Sequence, residues 1–346
     1  MMVVGVDPHK QTHTAVAVDG LGRKRGQKTV KARRDGHLTL LVWARARAAD
    51  QRIWAVEDVR HVAGGLVRDL LGAGERVVFV PPKLMAGERR GGRERGKSDP
   101  IDALAIARLA LREDLDLPVA QLDAQTRPVR LLTDHRDALV KHRTALVNRL
   151  RWHLHDLDPA LAPAPGALSS APARARLAAA LQQLPETTTR RVALAQLGFI
   201  DTISAEIDAV EKELAPLVRA LASVLLAIVG VSILTAAKIL GEVGDIRRFR
   251  SLAAFARHNG TAPIPAWTGN TGVQRLNRSG NRQLNAALHR IALAQARSHH
   301  GARQLLDRRQ QTTRDTKLGS LRVLKRHLSD TIYHAMITDV QQRQAT

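Results

Sequence analysis

The chain has 346 residues, 44% of them hydrophobic, enough for two or three domains with packed cores. Its 54 Lys and Arg outnumber 32 Asp and Glu, a formal net charge of +22 that points to a polyanionic partner, nucleic acid above all. The absence of cysteine excludes disulfides, thiolate zinc sites and cysteine nucleophiles, and 3% aromatic residues argue against a membrane anchor and base stacking, leaving grip on phosphate.

The opening MMVVGVDPHK does not read as a signal peptide, because an acidic residue interrupts its short apolar run. MVVGVD and THTAVAVD predict adjacent strands around a short polar turn, and QKTVKAR a third strand. LTLLVWARARA reads as a helix, RIWAVED as a strand, HVAGGLVRDLLGAG as a helix, RVVFVPP as a strand and DPIDALAIARLALRE as a helix. This order predicts a mixed sheet flanked by helices, an α/β domain over 1–115 that suits a ribonuclease-H-like fold.

Between the fifth strand and its helix lies GERRGGRERGK. Arg89, Arg90, Arg93, Arg95 and Lys97 make it either a solvated connector or, as preferred here, a phosphate-contacting loop at the mouth of a site. Residues 122–222 predict a helical arm, broken by a Pro-rich stretch at 158–173. Ile200, Ile203, Ile207, Val210, Leu214, Leu217 and Leu221 recur at coiled-coil spacing, with Pro216 expected to kink the helix. That seam suits pairing within one chain or between two. Residues 223–346 predict a third, mostly helical domain. LLAIVGVSILTAAKILGEVG reads equally as a helix-hairpin-helix that presents amides to phosphate or as a plain buried hairpin. The uncharged run Leu221–Ala237 nears the length of a membrane span, but Gly230 in its middle and Lys238 directly after it predict two short buried helices around a turn, so a soluble, intracellular protein is expected. The following Gly-, Pro-, Asn- and Arg-dense stretch reads as a site loop.

In KSDPIDALAIARL, Asp99 fits a helix N-cap with Pro100 at the first helical position and Asp102 at the third. The same two residues share a helix face and could be metal ligands. Asp7 ends the first strand and Glu57 lies in the fourth, where a buried carboxylate is costly unless paired or bound to metal. In a ribonuclease-H-like sheet these strands are neighbours, and the helix bearing Asp99 and Asp102 packs across them. Four convergent carboxylates suit Mg²⁺ or Mn²⁺.

Asp7 in GVD, Glu57 in VED, the VVFVPP strand and Asp99 and Asp102 in KSDPIDA resemble the D-E-D-D set of insertion-sequence transposases with a RuvC-like N-terminal domain. GVSILTAAKIL, FRSLAAFARHNGTAPI, RLNRSGNRQLNAALH and LRVLKRHLSDTIYHAM resemble the same family's C-terminal transposase domain, in order and spacing. The family is the bridge-RNA-guided recombinases, the IS110 group. The resemblance implies an enzyme that excises and inserts its own mobile element, guided by a structured RNA that pairs with target and donor DNA. It further implies an acidic tetrad holding Mg²⁺ and a C-terminal serine that attacks the scissile phosphate and links protein to DNA. A homo-oligomer, dimer or tetramer, in the bacterial cytoplasm and associated with the nucleoid is implied, with no membrane partner.

One departure stands out: where the family places serine before glycine, this chain has Thr268 followed by Gly269. Threonine keeps a hydroxyl, and Thr268 is the expected nucleophile, with Ser279 as a weaker candidate. Arg275, Arg278 and Arg282 are expected phosphate or RNA contacts, against the plain reading of a solvated basic face. Two other functions fit the composition. One is a resolvase-type metal-dependent endonuclease with water as nucleophile; the other is a decayed, non-catalytic nucleic-acid-binding protein.

Overall fold

A computed structural model describes residues 1–48, 52–82, 98–113, 117–121, 125–268, 271–275, 277, 280–313 and 315–345, without side-chain surroundings for 60, 61, 266–268 and 271–274. Two compact units emerge, one joining Met1–Ala124 with Asp245–Thr346, the other being Gln125–Gly244.

The first unit is built on strands β1 (Met2–Pro8), β2 (Thr12–Val18), β3 (Lys24–Lys31), β4 (Arg52–Glu57) and β5 (Arg76–Val80), with helices α1 (Arg34–Arg45), α2 (Arg60–Gly72) and α3 (Asp99–Glu113). The sheet order is β3-β2-β1-β4-β5, antiparallel across β3, β2 and β1 and parallel across β1, β4 and β5. This is the expected α/β class, and the sequence-predicted elements fall where alternation placed them. β1 is central and wholly buried. β3, at one edge, is lysine-rich and mostly exposed, which discourages pairing with another chain. At the other edge, Val119 bridges Val78 and covers β5.

Alternation along the strands separates two cores. Val4, Val6, Trp54 and Val56 face α1 and α2, meeting Leu40, Leu66 and Leu70. Val3, Val16, Ile53, Ala55 and Val78 face α3, meeting Ala103, Ile106 and Ala107. Helix α3 lies directly on β1 at Gly5, where an added Cβ would sit 2.2 Å from the Ala103 carbonyl oxygen and 2.4 Å from the Ala107 nitrogen. Only glycine permits that approach.

The second unit pairs α4 (Thr126–Leu157) with α6 (Thr188–Leu221), and α5 (Ala171–Gln182) closes one end. The long helices run antiparallel: Arg136 reaches Glu211, Arg143 reaches Ser204, and Leu150 shares a core with Leu197. The seam thus buries against a helix of the same chain. It also drifts from strict heptad spacing, since Ile200, Ile207, Val210 and Leu214 are buried but Ser204 and Val218 replace Ile203 and Leu217. A helix of 3.6 residues per turn rotates away from a 3.5-residue repeat. The Pro-rich stretch forms two 3-10 turns, pinned by the buried Arg174, which donates to Asp201 and to the Leu168 and Ser169 carbonyls. Beyond the single turn α7 (Ser223–Leu226), α8 (Ile233–Val243) packs on α4 and α6 in this unit.

The first unit resumes with α9 (Leu252–Asn259), strands β6 (Ile264–Thr268) and β7 (Thr271–Arg275), then α10 (Arg282–Ser298), α11 (His300–Thr312) and α12 (Lys317–Ala345). α12 packs on α9, α10 and α11. The stretch expected to be an irregular site loop therefore contains an antiparallel hairpin, with Thr268 paired to Thr271. Gly269-Asn270, a favoured two-residue hairpin connection, was the unused signal. Among the described residues, no helix is long and apolar enough to cross a membrane.

Candidate functional site

Asp7 and Glu57 stand at the ends of neighbouring parallel strands. Val6 pairs with Val56, so the next residue on each strand carries a carboxylate to the same edge and the same face, the one covered by α3. Ligand sites of α/β sheets form at such carboxyl ends. Because Gly5 draws α3 against β1, the first turn of that helix, bearing Asp99 and Asp102, comes over the end of β1.

The geometry of the cluster is specific. His9 Nε2 lies 3.2 Å from Asp7 Oδ2 and 3.3 Å from Asp99 Oδ1. Ligand-capable atoms of Asp7, His9 and Asp99 all fall within 4.8 Å of one another. Asp7 and Asp102 are each 4% exposed and Glu57 9%, whereas the side chains of Asp99 and His9 are half exposed. The cluster thus has a buried base and an open rim. Burial, above all, pushes the Asp7 carboxyl above the usual aspartate range; the charges of Asp102 and Asp99 push it the same way, and His9 opposes them.

The opening of α3 differs by one residue from expectation. The amide of Asp102 donates to the Ser98 carbonyl oxygen, which puts Ser98 at the cap position and Asp99 inside the first turn. Asp99 therefore turns its carboxylate to His9 instead of capping the helix. His9 was absent from the expected set, although its place two residues after Asp7 in GVDPHK, with an imidazole able to ligate metal, is a readable signal.

The other predicted residues lie elsewhere. Thr268 ends β6, in a two-stranded sheet separate from the five-stranded one. Arg275 and Arg282 are exposed, the first closing β7 and the second opening α10. Arg89, Arg90, Arg93, Arg95, Lys97, Arg278 and Ser279 lie outside the described residues.

Comparison with known proteins adds an independent line. A transposase model of the DEDD type for IS110 elements matches residues 4–159, and a model described as the transposase IS116/IS110/IS902 family matches residues 222–307. An uncharacterized 44.8 kDa protein of insertion element IS116 from Streptomyces clavuligerus is 36% identical over 162 residues, covering 46% of this chain and 39% of that protein. An uncharacterized 42 kDa protein of insertion element IS900 from Mycobacterium paratuberculosis is 27% identical, covering 97% of this chain and 95% of its own length. A probable family 20 transposase of Pseudomonas aeruginosa is 29% identical, with 60% of each chain covered. The chain thus spans well under half of the first relative, nearly all of the second and under two thirds of the third. Among solved structures, T. thermophilus RuvC in complex with a Holliday junction substrate aligns at 20% identity and a TM-score of 0.25, over 31% of this chain and 90% of that one.

Proposed function

We propose, for a chain that belongs to the IS116/IS110/IS902 family of transposases, that it cleaves and exchanges DNA strands for a mobile element. In this reading Asp7, Glu57, Asp99 and Asp102 hold a divalent metal, Mg²⁺ or Mn²⁺, and Thr268 supplies the attacking hydroxyl. The observation that carries it is the meeting of the Asp7 and Asp99 carboxylates, from β1 and α3, around His9, beside the strand end that bears Glu57, in a chain of net charge +22.

The residues present fit a hard cation. Carboxylate oxygens are its preferred donors, and His9 adds a nitrogen that Mn²⁺ accepts readily. His9, an imidazole between Asp7 and Asp99, lowers the Asp7 carboxyl, while the charges of Asp102 and Asp99 raise it. A bound divalent ion supplies charge neutralisation and orientation to a phosphoryl group. Asp7, fixed on a buried strand, sets the base of the site, while Asp99 and His9 at the open rim face an arriving strand. The Thr268 hydroxyl forms a phosphate ester as one deoxyribose oxygen leaves; a second strand end then displaces the threonine, so the number of phosphodiester bonds is conserved. The basic segment from Arg89 to Lys97, together with Arg275, Arg278 and Arg282, contacts phosphates of DNA and of a guide RNA, and the enzyme works as a homo-oligomer in the bacterial cytoplasm, on the nucleoid.

Three measurements test this. Calorimetric Mn²⁺ titration is expected to show binding that Asp99→Ala and Asp102→Ala each weaken at least tenfold; metal binding indifferent to Asp99 favours an inert nucleic-acid-binding protein. On a nicked suicide substrate, a detergent-resistant protein–DNA adduct is expected, lost in Thr268→Ala and kept in Thr268→Ser. Cleavage without any adduct favours the water-attacking endonuclease. Sequencing the RNA that copurifies is expected to return one discrete species, and random fragments count against guiding.

A further inference from the structure

A cavity of about 440 Å³ opens in the C-terminal helices, between the start of α10, the start of α12 and the loop that follows α9. Its wall depends on a close backbone crossing: a Cβ on Gly280 would meet the Gly260 nitrogen at 2.3 Å. Arg282, His289, Arg322 and Lys325 line it, with Leu318 and Leu321 as its apolar side, and no carboxylate is among the lining residues. Among the described residues, no Asp or Glu forms an ion pair with Arg282, Arg322 or Lys325.

The polar groups are held in place. Lys325 Nζ donates to Asn285 Oδ1 at 2.6 Å, and Asn285 Nδ2 donates to the Asn259 carbonyl oxygen at 2.8 Å. One ammonium hydrogen is thereby used, and the amine is fixed beside the cavity. Burial, and then the charge of Arg322, pulls the Lys325 ammonium below its ordinary range; burial, and then Lys325, does the same to His289. Cations grouped in a partly buried cavity without a counter-charge constitute a site for an anion.

We propose that this cavity binds one backbone phosphate of a nucleic-acid strand, held by Lys325, Arg322 and Arg282. Only the identity of the anion rests on the nucleic-acid reading above; the cavity stands on its own geometry. Arg322 at the rim and Arg282 at the helix start supply forked donors suited to two phosphate oxygens, and Lys325 supplies the inner charge. Phosphates of DNA and of RNA share this chemistry, so both are used as probes.

The test uses the full chain and fluorescence anisotropy with a labelled DNA duplex and a labelled RNA of equal length, across a series of KCl concentrations. Arg322→Gln and Lys325→Gln are each expected to weaken binding on the order of tenfold and to lower the salt slope by about 0.9 on duplex DNA, or about 0.7 on single-stranded RNA. Arg303→Gln, which removes one exposed charge from α11 away from the cavity, is expected to leave the slope unchanged. Arg322 is exposed, so its variant retains the fold even if Lys325→Gln does not. A slope change on DNA alone, on RNA alone or on both supports the pocket and names its strand. Slopes and affinities of Arg322→Gln equal to those of Arg303→Gln on both probes overturn it. The readout is binding alone, so loss of the metal site leaves this result intact, and an empty pocket leaves the metal site intact.

Discussion

Replacing Gly5 with alanine tests whether the packing of α3 on β1 sets the acidic cluster. The new methyl would lie 2.2 Å from the Ala103 carbonyl oxygen and 2.4 Å from the Ala107 nitrogen. Both are helix backbone, so no side chain can swing away to relieve the clash. Ordinary carbon contacts need about 3.4 Å or more, which requires α3 to move by roughly 1 Å. Overpacking of this kind costs about 1–3 kcal/mol, more than the several tenths that alanine regains over glycine in a strand. The displaced helix carries Asp99 and Asp102 while Asp7 stays on β1. A misplacement near 1 Å at a reacting centre costs on the order of 100-fold in rate.

The expected result is a urea-unfolding loss of about 1–3 kcal/mol together with weakened Mn²⁺ binding and strand cleavage reduced on the order of 100-fold. Gly64→Ala on α2 is the control. Its Cβ would meet only the end of the Arg68 side chain at 3.5 Å, and alanine inside a helix is expected to add about 0.5–1 kcal/mol. If Gly5→Ala matched the parent in stability and metal affinity, the contact would not be what places the helix, and the geometric account of the cluster would fail.

Glu75 is buried and accepts from Arg52 Nε at 2.6 Å, Trp54 Nε1 at 2.9 Å and Arg45 Nη2 at 3.0 Å. Glu75→Ala removes the buried carboxylate that Arg52, Trp54 and Arg45 share, and urea unfolding is expected to show a loss of about 3–5 kcal/mol. A loss below about 1 kcal/mol would class the pair with surface salt bridges. Burial first, then the charge of the stacked His37, pushes His13 down to about 4. The unfolded chain protonates that residue near 6.5, so stability is full above about pH 6.5 and drains as pH falls toward about 4, by up to ~1.4 kcal/mol per unit. Thermal melts at pH 7.5 and 5 are expected to show that drop in the parent chain and a smaller one in His13→Gln; equal drops refute it. In the arm, Ile200 is fully buried between α4 and α6, and Ile200→Ala is expected to cost about 2–5 kcal/mol in circular-dichroism melts of the full chain, with no such cost for Ile203→Ala at its half-exposed position.

The five strands and three helices of the α/β layer were legible because each has a burial pattern of its own period and is bounded by polar or glycine-rich breaks. β1 and β4, apolar on both faces, announced the centre of the sheet, and lysine-rich β3 its edge. Asp7 and Glu57 stood out for the same reason, as charges ending buried strands. What escaped was local. The opening of α3 shifted by one residue because Ser98 competes with Asp99 for the cap position, a choice that the His9 contact helps decide and that no spacing rule contains. The β6–β7 hairpin was hidden by proline and glycine in its strands, which weaken the alternation that normally reveals them. The seam of α6 departs from its expected course by one residue at two positions, Ser204 and Val218, because an α-helix of 3.6 residues per turn does not keep the heptad period. His9 carries no periodic signal, and only its place two residues after Asp7 marks it in the sequence.

The opening of α3 also shows why a cap and a ligand were never true alternatives. Any carboxylate in the first helical turn gains about 0.3–1 kcal/mol from the helix dipole, whichever group its oxygens touch. Asp99 and Asp102 thus stabilise the helix start by position, and that same field is available to offset part of their mutual repulsion. Asp7 receives no such help, since it ends a wholly buried strand and is pushed toward protonation by its surroundings. The strand is the stiff half of the cluster and α3 the half that can be displaced, so the spacing between the two is governed where they touch, at Gly5. A positive charge bound between them is stabilised by both halves, whereas one bound at α3 alone would have only the dipole-favoured acids and an open rim. Asp7 is therefore the residue whose loss should abolish metal binding outright, while loss of Asp102 should only weaken it.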